Sequence, residues 1–157
     1  DEVKDVLIAP DDTDVVVYSD RRALRFPVSD VPHYKRSANG VAAMNTTDDI
    51  DGASIIWRNS EYLLVITKSG KVNKIPAASL QTFKRYKAGS SVIKLGKTDS
   101  IHSIIPCNDT DVIEITTKQN KAEFAIKDIQ ISSSISGGVQ LLSMKSDTIV
   151  NTSLKMA

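Results

Sequence analysis

YLLVITKSGKVNKIPAASLQTFKRYKAGSSVIKLGKTDSIHSIIP, residues Tyr62–Pro106, alternates short apolar runs with polar turns in an order that recurs on both sides of it. Leu63 to Ile66 is an apolar strand, Lys68-Ser69-Gly70 a turn, and Lys71 to Ile75 a second strand. A basic connection, Gln81 to Ala88, leads to a glycine and a third strand, Ser91 to Leu95. The turn Lys97-Thr98-Asp99 and a fourth strand, Ile101 to Ile105, complete the unit. Apolar runs this short, rich in β-branched residues and bounded by turn residues, predict strands.

The preceding segment keeps this order. Val15 to Tyr18 is its first strand, Asp20-Arg21-Arg22 the turn, Ala23 to Phe26 the second strand and Ser29 to Asn39 the connection. Gly40 precedes VAAM, and Ile50 to Trp57 closes the unit. The following segment does the same: Val112 to Thr116, a turn at Lys118-Gln119-Asn120, Ala122 to Ile126, and a connection from Lys127 to Ser136. Gly137-Gly138 then leads into VQLLSM and a last strand through Leu154. Gly40, Gly89 and Gly138 lie 49 residues apart each time. Only glycine accepts a positive φ or a close backbone approach without cost, so the interval predicts a shared bend.

A four-stranded sheet repeating at this period has the size of a propeller blade, and such blades must stack to bury both faces. An immunoglobulin-like sandwich would show no fixed period. The expected division is therefore blades at 11–58, 59–107 and 108–157. Glu2 to Ala9 resembles the fourth strand of the middle unit, so residues 1–10 read as the last strand of an earlier blade. With Asp rather than Met at residue 1, the chain reads as a piece of something longer.

Composition agrees with an all-β chain. Of 157 residues, 17 are Ile, 14 Val and 11 Thr, against 9 Leu, which disfavours a helical bundle. The net charge is +1, which excludes a uniformly basic nucleic-acid binder and a charge-driven disordered tail. No apolar run reaches the ~18 residues of a membrane-spanning helix. The single cysteine, Cys107, excludes an internal disulfide and fits a reducing, cytoplasmic setting. The near-zero total hides an asymmetry. Residues 1–60 carry 7 basic and 11 acidic groups, residues 61–109 carry 8 and 3, and residues 110–157 carry 5 of each. A cationic middle is a patch, which is what DNA binding requires.

These residues resemble a known family. VITKSGKVNKIPAASL, KRYKAGSSVIKL and TDSIHSII are together similar to a blade from the C-terminal domain of bacterial type IIA topoisomerase A subunits, those of DNA gyrase and topoisomerase IV. YSDRRALRFPVSDV with KRSANGVAAM, and TTKQNKAEFAIKDI with SGGVQLLSM, match less literally. The resemblance implies a β-pinwheel, a propeller-like disc whose neighbouring blades exchange strands, with duplex DNA bent around a basic rim. It implies a non-catalytic module that presents DNA to the strand-passage gate of a nucleoid-associated, ATP-dependent topoisomerase. Its implied partners are duplex DNA, the ATPase B subunit, and the rest of the A subunit. No cofactor is implied for this chain, since ATP and Mg would act elsewhere in the holoenzyme. The chain departs from the pattern in lacking a gyrase box and in carrying only about three blades.

The candidate DNA contacts are Arg21, Arg22, Arg25, Lys35 and Arg36 in the first unit. In the second they are Lys68, Lys71, Lys74, Lys84, Arg85, Lys87 and Lys94, with Lys97 nearby. In the third they are Lys118 and Lys121, with Lys127. Each would donate to phosphate oxygens, which fixes the path of the duplex but reads no bases. Strand alternation places Lys71 and Lys74 on opposite faces. Phe83 and Tyr86 have the chemistry to stack on bases, as in single-strand binders, but with duplex DNA expected they read as packing residues under the connection, and Trp57 as a core or inter-blade anchor. A protein-interaction propeller that binds no nucleic acid is the alternative, supported by the acidic first third.

Catalytic signals are missing. There is no P-loop, G-x-G-x-x-G or C-x-x-C. His33 and His102 stand too far apart in the sequence to suggest a zinc site. Aligning Gly52 with the glycine of a calcium loop leaves Thr47 and Arg58 at ligand positions they cannot serve.

Overall fold

In the computed structural model, which describes residues 2–34 and 39–155, ten strands form three antiparallel sheets. Sheet one holds β1 (Asp14–Tyr18), β2 (Ala23–Pro27) and β3 (Gly52–Ile56) in the order β2-β1-β3. Sheet two is built on β4 (Tyr62–Thr67), β5 (Lys71–Pro76) and β6 (Ile101–Cys107). Sheet three holds β7 (Val112–Thr117), β8 (Lys121–Ala125) and β10 (Ile149–Leu154) in the order β10-β7-β8. The short β9 (Val139–Gln140) lies between β8 and β10 in the chain but joins sheet two, whose order is β6-β4-β5-β9.

Each second strand ends in a 3-10 turn: Val28–Asp30, Ala77–Ser79 and Ile126–Asp128. Pro27 and Pro76 lead into the first two. Proline has no N–H for the ladder, and its fixed φ ends a strand at that point. Two sequence expectations are corrected. Residues 2–10 form no strand, and Val3, Val6 and Ile8 are largely exposed. The third run of each unit does not lie in its own sheet. Ser91 to Leu95 forms no strand; instead Ser90 pairs with Ala23 of sheet one, as Val139 pairs with Val72 of sheet two.

The glycines explain this crossing. The Ala23 N–H donates to Ser90 O at 2.9 Å, and the Ser90 N–H donates to Ala23 O at 2.7 Å. Gly89, at φ +85°, lies so close to the receiving strand that an added Cβ would stand 2.7 Å from Ala23 O. Gly138, at φ +73°, lies closer still to Val72 O. A side chain at either position would push the exchanged segment off its acceptor.

Stacking follows from strand alternation. Val16 and Tyr18 of sheet one face Leu63, Val65 and Ile75 of sheet two, in a core closed by Leu80, Val92, Ile93, Ile101 and Ile104. The opposite face of sheet two, Leu64, Ile66 and Val72, packs on Ile113, Ile115, Ile126 and Ile129 of sheet three. Full burial of each such side chain is worth roughly 1.5–3 kcal/mol, so the two inter-sheet cores hold the array together. The outer face of sheet three differs. Glu114 pairs with Lys121 at 2.9 Å and Glu123 with Lys155 at 3.2 Å, where the earlier sheets present apolar groups. Trp57, expected as an anchor, is 47% exposed, beside Asp12 and Arg58 in a surface cleft.

Candidate nucleic-acid interface

The connection from Gln81 to Ser90 runs along the outer edge of sheet one and is stapled there by its backbone. The Phe83 N–H donates to Arg25 O at 2.8 Å and the Tyr86 N–H to Ala43 O at 2.8 Å. Lys87 O accepts from the Asn45 N–H at 2.9 Å. The segment is therefore fixed, and it carries exposed Lys84 and Lys87 outward. Arg22 in the β1–β2 turn donates to Gly89 O of the same connection at 3.1 Å. Arg21 donates to Gly96 O and Asp99 O at 3.4 and 3.3 Å. Arg21, Arg22 and Lys94 line one open cleft of about 400 Å³ together with Asp48, Ser91, Ile93 and Leu95. A guanidinium holds five N–H donors, so each arginine keeps donors for an incoming anion.

Three candidates are engaged within the fold. Lys74 is 2% exposed: its ammonium sits 2.7 Å from Asp109, donates to Ile126 O and Ile129 O, and lies over the Tyr62 ring at 4.3 Å. Arg25 acts in the same way at the preceding junction. It bonds Asp14 at 2.7 Å, Ala77 O at 2.8 Å and Leu80 O at 3.4 Å. Both cations reach carbonyls at the 3-10 turn of the next sheet, Lys74 through its ammonium and Arg25 through Nη1, while Arg25 Nε is held by Asp14. Arg85 is half-buried; its guanidinium donates to Ala42 O and its backbone N–H to Asp30, so it braces the connection.

The other candidates are dispersed. Lys68 is exposed and lies 3.9 Å from Asp20, while Lys71 is half-buried. Lys97, Lys118 and Lys127 are exposed. Lys121 is engaged by Glu114, whose hydrogen bond and charge raise its pKa. Lys35 and Arg36 lie outside the described residues. The structure thus gathers Arg21, Arg22, Lys84, Lys87 and Lys94 about one connection and its crossing.

The sequence reading missed the carboxylates that shape the turns. Asp99 accepts from Ser69 Oγ at 2.6 Å and from the Ser100 N–H at 2.9 Å. Burial alone would raise its pKa, but hydrogen bonds from Ser69, Thr67 and the backbone outweigh burial and hold it low. Asp147 repeats the arrangement on Thr117 at 2.6 Å. Their recurrence just before the closing strand of the second and third units was the available signal. Asp51 behaves oppositely: burial, then a hydrogen bond with Asp20, pushes its carboxyl up to about 6. The Cys107 thiol is pushed up to about 12, chiefly by burial. Among the described residues no group of three or more His, Cys, Asp or Glu could hold a metal ion. Among the same residues, no helix is long and apolar enough to cross a membrane.

Stacked antiparallel sheets with an exchanged edge strand define an all-β, propeller-like pinwheel. The family described as DNA gyrase C-terminal domain, beta-propeller, matches residues 19–52 and 61–108, more than half of the chain, and the chain belongs to that family. It is 26% identical over 157 residues to the DNA gyrase A protein of Kosmotoga olearia, spanning 96% of this chain and 19% of that protein. The corresponding protein of Thermotoga maritima is 27% identical over 134 residues, 81% of this chain and 16% of that one. The chain thus spans about a fifth of the curated relatives' length. The C-terminal domain of DNA topoisomerase IV superposes with a TM-score of 0.84 at 22% identity, over 92% of this chain and 47% of that domain. The DNA gyrase A C-terminal domain gives 0.82 at 20% identity, over 92% and 51%.

Proposed function

We propose that this chain is a non-catalytic duplex-DNA-binding and DNA-bending module of a type IIA topoisomerase A subunit. The holoenzyme, through its ATPase B subunit, supplies the energy for strand passage. The observation that carries this reading is the collection of Arg21, Arg22, Lys84, Lys87 and Lys94 about one rigid connection in a chain of net charge +1. These cations neutralise phosphates, and the stapled connection keeps them in place along a sheet edge. Phosphate contacts read no bases, so binding is indifferent to sequence. Membership of the gyrase C-terminal family supports the reading.

Fluorescence anisotropy with a linear duplex tests it over a salt series. Log affinity falls linearly with log salt, with a slope of about −0.9 per phosphate neutralised. Replacing Lys84 and Lys87 together by Ala weakens binding on every sequence and makes the slope shallower by ~1–2. An unchanged slope and affinity would remove the interface from this edge.

A further inference from the structure

We propose that Tyr86 contacts the duplex directly. Its ring packs into the minor groove, against sugars and base edges, where the double helix bends over the connection, while Lys84 and Lys87 hold flanking phosphates. This rests on the DNA-binding reading and names the side chain at the centre of that edge. Tyr86 was expected to pack beneath the connection, yet it is 52% exposed. It also adopts φ +67°, one of two non-glycine residues described with a positive φ. For an L residue that conformation costs roughly 1–2 kcal/mol, and Gly or Asn adopts it more readily.

The backbone requires the bend: the Tyr86 N–H reaches Ala43 O, and Lys87 O on the next residue accepts from Asn45. A glycine would make the same bonds with less strain. Folding therefore explains the conformation but not the tyrosine. The repeat supplies a second observation. Ile135, 49 residues further on at the same place in the next connection, is 80% exposed. At both junctions this position sends a large apolar side chain outward. Apolar wedges set in the minor groove are a general means of holding a duplex bent. A single-strand site would instead stack successive bases on several aromatics along a groove. Tyr86 stands on the outer edge of a sheet, with Phe83 the nearest aromatic in sequence.

The test uses the whole chain with Tyr86→Gly and Tyr86→Asn, an end-labelled duplex for FRET bending, and anisotropy over a salt series. The expected result is a melting temperature equal to or above that of the parent, duplex affinity lower by about five- to tenfold, and reduced bending. The salt slope stays unchanged, because no phosphate contact is lost. If the parent chain binds no duplex at low salt, the DNA-binding reading itself fails. If the parent binds and both variants bind and bend the duplex equally well, the Tyr86 assignment alone is overturned. A lower melting temperature in both variants also overturns it, since the ring would then serve the fold.

Discussion

Lys74 and Lys84 are the same residue type in one basic segment, ten positions apart, with opposite fates. Lys74 is sealed against two carbonyls and Asp109, whereas Lys84 points to water. Lys74→Ala leaves those carbonyls without their cation and is expected to destabilise the fold by about 2–4 kcal/mol in urea unfolding. Lys84→Ala is expected to leave stability unchanged. Asp51 makes a pH prediction. Its folded pKa, about 6, lies above the ordinary carboxylate value. The folded state therefore binds more protons than the unfolded state between about pH 4 and 6, and stability falls as pH rises through that window. Asp51→Asn should raise the melting temperature at pH 7, with little effect at pH 4. Cys107, buried with its thiol pushed up to about 12, should resist a maleimide at pH 7 until the protein is unfolded. Which cations turn inward was not legible in the sequence. Arg25 meets carbonyls of residues 77 and 80, and Lys74 those of residues 126 and 129, partners no local pattern points to.

At the level of strands, the period, the hairpins and the glycine bends could be read directly, because they are local features of pattern and φ. The home of the third run could not be read from pattern alone, although the family resemblance implied an exchange between neighbouring blades. An apolar stretch such as VQLL looks the same whether it pairs within its own sheet or with the neighbour, and only packing decides. The close approach at Gly138 gives the test. Gly138→Ala should cost at least ~2 kcal/mol, since it adds left-handed strain to a backbone clash. Gly96→Ala, with nothing within 4 Å of the added carbon, should be nearly silent in the same melt. Hydrogen exchange gives a second check. The Ala23 amide, bonded to Ser90 O, should be protected. The Lys121 amide, at the same place in β8, should exchange quickly, because among the described residues β8 pairs only with β7.

Across the whole molecule, the three sheets share cores but not surfaces. The cations of the candidate interface cluster where the second unit's connection crosses sheet one, while the third connection offers Ser133, Ser134 and Ser136 at the corresponding places. A duplex following this surface should therefore be gripped unevenly, with footprinting protection strongest next to the Lys84–Lys87 segment. Sheet two carries an edge strand that belongs in sequence to the third unit, so the natural joint between units does not fall between sheets. A gene duplication or deletion with breakpoints at sheet limits would orphan one borrowed edge and leave another without a host. Breakpoints inside the connections, each carrying a hairpin together with the strap that closes its predecessor, would leave every sheet complete. Such arrays should lengthen or shorten in that frame alone.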